Sequence, residues 1–335
     1  MLLGGVLTKG LGWEWVLWVN VPIGLTAAFL APRLLPESRD EVEDRSFDIP
    51  GAVAVTAGLA LLVYAIVDAE SAGWTSAQTL GGIGGALALI AAFLVIEVRA
   101  RKPLMPLSTF RLQTLRGANV VGLLVGMSLF SMFFFVSLYL QQVLGFDALE
   151  AGLGYLPLAI VIILSAGAAS QAVTRLGFKT PLIAGMLLVA AGLLWFTQVS
   201  VGGSYVADVL GPSLLAAAGL GFAFVPVTIA AVTGTRPDQA GLASGLINTS
   251  QQVGGALGVA ILASIATSVS GGLDPRGRLS PAQFGELTDG FRAAFAVGAG
   301  LAILGAIAAA LLISSKDSRE MAAAAQRGEA VAAAA

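Results

Sequence analysis

Nine stretches of this chain are apolar over the length a helix needs to cross a bilayer, about 20 residues each, and that feature limits the available folds more than any other. They fall at residues 15–34, 51–67, 80–98, 118–140, 152–173, 181–199, 209–232, 241–268 and 291–313. The predicted fold class is therefore an all-α polytopic membrane protein. The stretch at 241–268 is long enough to tilt or to project beyond the hydrocarbon. Composition agrees: 57% of the 335 residues are hydrophobic and only 11% are charged. A soluble domain carries roughly a quarter charged residues, so water cannot be the solvent for most of this surface.

Basic residues between spans orient the chain, because cytoplasmic loops collect Lys and Arg. Counted on alternating sides, fourteen of the eighteen basic residues share one side, including Arg33, Arg99, Arg101, Lys102, Arg116, Arg175, Lys179 and Arg236. Only Lys9, Arg276, Arg278 and Arg292 fall on the other. The richer side is taken as cytoplasmic, which places the C-terminus inside and Met1 outside, in a multi-pass protein of the inner cell membrane. No export signal is visible: Glu14 and Asn20 interrupt the first apolar run and no basic cluster precedes it. An external start without a signal, together with an odd number of spans in a class of folds built from paired repeats, leads us to expect further helices upstream. Residues 36–48 and 314–335 are read as a solvated cytoplasmic loop and tail, and 269–289 as an irregular external turn region.

Several chemistries are excluded by residue type. The chain has no cysteine and no histidine, which removes disulfides, thiol chemistry, imidazole metal sites and His-dependent nucleophilic catalysis. No metal or other cofactor is expected, and without paired buried carboxylates an enzyme is not expected either. The glycine cluster from Gly81 to Gly85 lies inside a span and lacks the Lys-Ser/Thr of a phosphate-binding loop, which argues against an ATP-driven pump. A net charge of −2 with no basic face gives nucleic acid nothing to bind.

Candidate functional residues are polar or small side chains at helical spacing. Gly241, Gly245, Asn248, Gln252 and Gly255 recur at intervals of three and four and share one helix face. That face is either a sliding surface with Asn248 and Gln252 turned to a central cavity, or ordinary small-residue packing. Gly254 and Gly258 form a weaker pair on the adjacent face. In the fourth span, Met127, Phe130, Met132, Phe133, Phe134 and Phe135 offer a soft apolar surface suited to varied organic molecules, with Phe134 the chosen cavity residue. The run encircles its helix, so several members must face lipid. Asn119 and Gln141 are the polar candidates of the same span. Gly211, Pro212 and Pro226 mark the seventh span as a possible hinge. Asp68, Glu97, Asp208 and Arg292 lie at span ends and read as flanks, so no titratable group near a span centre supports proton antiport from this sequence alone.

Longer strings carry a resemblance. In order along the chain come LLGGVLTKGLGWEWVLWVNVPIGL at the start, LPES from Leu35, Asp48 with Pro50-Gly51-Ala52, and RARKPLMPLSTF from Arg99. They are followed by SLYLQQVLGF from Ser137 and GLASGLINTSQQVGGALGVA from Gly241. Together these resemble the fourteen-helix drug/proton antiporter branch of the major facilitator superfamily over residues 1 to about 313. The resemblance implies a partial superfamily fold whose nine spans match family helices six to fourteen, with an N-terminal half missing. Gly4 and Gly5 would be the tail of the antiporter motif. Residues 1–35 would be the last helix of an N-terminal bundle, 36–110 a linker with an extra transmembrane hairpin, 111–313 a six-helix C-terminal bundle of two inverted repeats, and 314–335 a cytoplasmic tail. Arg175, Gly177 and Lys179 resemble a degenerate cytoplasmic loop motif, with Thr174 where that motif has Asp. Gln251 stands where many relatives carry Arg. The implied activity is multidrug or metabolite efflux by alternating access, proton-coupled when complete, with a small amphiphilic organic substrate. The alternative is a truncated, non-transporting fragment or a half-transporter that needs an N-terminal partner.

Overall fold

The computed structural model describes residues 2–34, 48–100, 107–236, 239–273 and 280–327. The LPES string, nearly all of the charged 36–48 loop, residues 101–106 of the RARKPLMPLSTF string, part of the external 269–289 turn and residues 328–335 of the tail lie outside them. Thirteen α-helices are present among the described residues: α1 (Leu2–Gly10), α2 (Trp15–Trp18), α3 (Asn20–Leu34), α4 (Ile49–Ala72), α5 (Ala77–Arg99), α6 (Gln113–Leu138), α7 (Ala148–Gly154), α8 (Leu156–Leu176), α9 (Lys179–Phe196), α10 (Gly211–Val232), α11 (Ala240–Val269), α12 (Pro281–Leu312) and α13 (Ser315–Gln326). They contain nine segments long and apolar enough to span a membrane, one for each stretch read from the sequence. Helix is the required local solution, since hydrocarbon offers backbone groups no partner outside the segment itself.

Side-chain caps set where the helices begin. Asp48 accepts from the Gly51 N–H at the start of α4, and Ser76 accepts from the Thr79 N–H at the start of α5. Capping boxes open α7 (Asp147 with Glu150) and α12 (Ser280 with Gln283). Each supplies acceptors for N–H groups that the first helical turn leaves unpaired. Two π-helical turns interrupt the regular pattern, at Tyr139–Val143 after α6 and at Tyr205–Leu210 before α10. Gly211 and Pro212 sit where the second of these becomes α10, while Pro226 lies buried inside it.

Helices α6 to α12 form one bundle. Helix α10 packs against α9 and α8, α11 against α6, and α12 against α9, α6 and α11. The core lies within this unit, from Leu115 to Ile313. Its aromatic centre joins α6, α9 and α12: Phe196 stacks on Phe295 at 4.8 Å, and Phe135 meets Phe291 and Phe295 edge-on at 5.9 and 6.2 Å. At one end the two π-turns face each other. The Tyr139 hydroxyl has the Ser200 carbonyl at 2.7 Å and the Asp208 carboxylate at 2.9 Å, and that carboxylate also accepts from the Ser200 N–H and hydroxyl. Arg292 donates to the Val199 carbonyl and pairs with Asp289 beside this cluster.

The remaining helices lie outside that core. Helices α4 and α5 pair as a hairpin, and α4 rests against α11. Trp74, in the hairpin loop, donates its indole N–H to Ser264 of α11 at 3.0 Å. None of the most apolar window of Trp15–Leu34 is buried, against 56% for the window in Gln113–Val143. Helix α1 touches the bundle through α7, fastened by a 2.6 Å ion pair between Lys9 and Asp147.

Candidate functional site

Helix α11 turns two differently built faces to its surroundings. On the face packed against α6, Cβ atoms at Gly254 and Gly258 would lie inside the backbone of Leu123 and Met127, and one at Gly126 inside that of Gln251. Only glycine lets the two main chains come this close, which is how apolar helices gain packing energy when lipid gives them no reason to associate. The seam is pinned by Asn119, which is buried: its amide donates to the Leu115 carbonyl and its oxygen accepts from the Ser250 hydroxyl at 2.8 Å. Asn119 thus joins α6 to α11.

The other face carries Asn248 and Gln252, both exposed, while Gly241 and Gly245 have nothing within reach of an added Cβ. Asn248 and Gln252 line a cavity of about 260 Å³ together with Gln251, Phe130 and Leu129 of α6, and Phe224 of α10. None of its lining residues is ionisable, so it offers amide hydrogen-bonding groups and aromatic surface without charge. Gln251 is buried, and its side-chain N–H₂, itself shielded from solvent, has no partner among the described residues. Gln251 was not among the cavity residues chosen from the sequence, although it stands three positions after Asn248, the same-face spacing that could have found it; Phe224 carried no such signal.

A second cavity of about 450 Å³ lies between α4 and the α6–α11 pair, lined by Val63, Val67, Phe130, Phe134, Val259 and Ala263 among others. Phe134 lines this chamber and not the amide cavity. The Met/Phe run is sorted by face: Met132 and Phe135 are in the core, Met127 is buried against α11, Phe133 stacks on Tyr155, and Phe130 and Phe134 stay 38% and 39% exposed. Gly255 is covered by the Phe130 ring, which a Cβ there would overlap.

Gln141 lies apart from both cavities. It donates to Ser137 and lines a small cleft of about 150 Å³ with Gly4, Gly5, Thr8 and Tyr155, where α1 meets α7. Gly5 is pressed against the Ala148 carbonyl, whereas Gly4 is open. Gly211 lies against the Trp195 ring at the head of α10, with Pro212 buried beside it.

The loop of Arg175, Gly177 and Lys179 is the seat of α13. Gly177 ends α8 with φ +77°, a conformation that excludes most side chains, and lies against Ser318. Ser318 accepts from the Lys179 N–H at 3.0 Å, capping α9 from outside its own sequence. The Lys179 ammonium donates to the Ile313 carbonyl and the Ser315 hydroxyl, Gln326 donates to the Arg175 carbonyl, and Thr114 donates to Asp317. Residues 315–326 are therefore a docked helix. Among the described residues no cluster of side chains could hold a metal ion.

A family model described as Major Facilitator Superfamily matches residues 1–259. The chain belongs to the major facilitator superfamily. It is 37% identical over 274 residues to a cephamycin export protein of Amycolatopsis lactamdurans, covering 81% of this chain and 56% of that one. A tetracenomycin C resistance and export protein of Streptomyces glaucescens is 36% identical, covering 82% and 51%. A puromycin resistance protein of Streptomyces alboniger is 32% identical, covering 94% and 63%. The chain thus spans between 51% and 63% of the length of these three relatives. A solved bacterial homologue of the human lysosomal transporter Spinster, inward-facing and unoccupied, shares the fold with a TM-score of 0.52 at 14% identity, over 81% of this chain and 67% of that one. This member of the superfamily is a multi-pass helical membrane protein that carries part of the superfamily fold.

Proposed function

We propose that this chain supplies one wall of an efflux permease that moves small amphiphilic organic molecules out of the cell by alternating access. The carrying observation is the uncharged cavity between α6, α10 and α11, where the exposed Asn248 and Gln252 and the buried Gln251 place three amides. The export and resistance roles in the relatives' names support the direction of transport. An opposing helical bundle, in the same polypeptide or a separate one, closes the cavity from the other side, and the open Gly241–Gly245 stretch is the surface on which the two move. The amide cavity contains no titratable group, so coupling to protons is assigned to residues beyond it. We place the protein in the inner cell membrane with the loops rich in Lys and Arg in the cytoplasm, which also puts α13 there. Residues 111–313 act as the moving C-terminal bundle, and the α4–α5 hairpin as its membrane-side neighbour.

The test is drug efflux from a host lacking its own exporters, with the chain expressed in its genomic reading frame. Asn248→Leu and Gln252→Leu each remove hydrogen-bonding capacity at nearly constant volume and should abolish or strongly reduce export at unchanged protein level. Wild-type export in both variants would remove the amide cavity from the transport path.

A further inference from the structure

The two cavities around Phe130 are arranged in series. The outer one opens between the hairpin and the bundle and has walls of Val, Phe, Ala and Gly; the inner one holds three side-chain amides. Phe130 is part of both linings, and its ring lies against Gly255, near the middle of the 30-residue α11, at the depth where the bilayer presents acyl chains. Together the cavities reach the size of an ordinary ligand site, about 300–1,000 Å³. The hairpin is held over the outer chamber by the Trp74–Ser264 hydrogen bond, one residue beyond the chamber residue Ala263.

We propose that the outer chamber is a lateral entry site for a neutral amphiphile dissolved in the bilayer, and that Phe130 is the side chain whose rotation admits it to the amide cavity. The proposal rests on the amide cavity being a substrate site. A neutral molecule is specified because neither lining contains a charged side chain to offset the cost of desolvating an ion. An amphiphile is specified because the path runs from purely apolar walls to amides. A lipid acyl chain would fill the outer chamber and gain nothing from the inner one. The extra hairpin thereby acquires a role as the outer wall of an entrance, and Phe130 meets no side chain at Gly255 that would block its swing.

The chain contains no cysteine, so one introduced thiol is unique. With Gln252→Cys as reporter in proteoliposomes, the rate of modification by bilayer-soluble pyrenyl-maleimide is compared with that by a charged, water-soluble methanethiosulfonate. Phe130→Ala should raise the first rate several-fold and leave the second unchanged, and Phe130→Trp should lower the first. Val67→Trp, which fills the chamber from the hairpin side, should lower it too, and carries the test if Phe130→Ala fails to fold. The neutral aromatic amide benzanilide should protect the thiol. Equal changes with both reagents, no change with either, or reaction of Val67→Cys with a phospholipid carrying an acyl-chain maleimide without benzanilide protection would each overturn the proposal. Gate-dependent labelling combined with wild-type export in Asn248→Leu and Gln252→Leu would leave the entrance standing and remove only the export role of the amides.

Discussion

Replacing Gly258 by Ala tests whether the α6–α11 seam is a designed close approach or incidental contact. A Cβ at Gly258 would stand 2.6 Å from the Met127 Cα and 2.7 Å from its carbonyl oxygen, both main-chain atoms that cannot rotate away. Relief to ordinary van der Waals distance requires the helices to part by about 0.8 Å, a gap that forfeits a quarter to a half of the local dispersion well. Overpacking of this kind costs about 1–3 kcal/mol. Gly245→Ala, on the same helix, is the matched control: nothing lies within 4 Å of its added Cβ, so only the helix-propensity gain of up to about 1 kcal/mol remains. The two variants should therefore differ by about 2 kcal/mol, or about 4–8 °C in melting temperature for a bundle of roughly 200 residues. Thermal unfolding of the purified chain in detergent, followed by size-exclusion fluorescence, reads the difference. Equal melting temperatures would refute the seam.

Three further outcomes follow from the geometry. Ser318→Ala removes the outside cap of α9, should destabilise the α13 seat by about 1 kcal/mol, and should speed hydrogen exchange at residues 177–182 (unchanged exchange there would separate α13 from the loop). Tyr139→Phe removes the hydroxyl that lies between the Ser200 carbonyl and Asp208, taking away the one proton it offers that pair of acceptors, and should cost about 1–2 kcal/mol in the same melting assay; a neutral result would mean the turns hold without it. The hydrogen bond from Lys9, reinforced by the Glu150 N–H, holds the Asp147 carboxyl below its ordinary 3.8, while the same bond raises Lys9 above 10.5. The pair thus helps to hold α1 against α7 at neutral pH, and that contribution is lost as pH falls through the lowered Asp147 value or rises through the raised Lys9 value. A fluorophore on Thr8→Cys should report both losses, and Asp147→Asn should abolish the acid one.

The spans were legible because hydropathy records the solvent of a segment directly, and all nine stretches read from the sequence correspond to helices. Caps such as Asp48 before Pro50-Gly51 were not singled out in the sequence, although their chemistry is local. What hydropathy could not sort was facing within an apolar helix. In the Met/Phe run every residue looks alike to lipid, and only the positions of α4, α11 and α12 separate the core Phe135 from the chamber Phe134. On α11 the glycines that touch a neighbour's backbone are Gly254 and Gly258, whose spacing is common in membrane helices, while the regularly spaced Gly241 and Gly245 remain open. The role of Arg175, Gly177 and Lys179 in seating α13 was invisible because it runs through the loop's own Lys179 N–H and Arg175 carbonyl, which meet Ser318 and Gln326 side chains, and through the Lys179 ammonium on the Ile313 carbonyl, partners 134 or more positions away. The π-turns leave no trace in composition, and their partners meet only in three dimensions.

The two faces of α11 divide what can drift from what cannot. Along one side a single methyl group collides with main chain; on the other, Asn248 and Gln252 are exposed and line the cavity. The amides can therefore be exchanged for other polar or aromatic groups while the seam that aligns the helix pair is left untouched. Because the two sets of positions fall on different faces of one helix, the scaffold tolerates change at its cavity without having to be rebuilt each time.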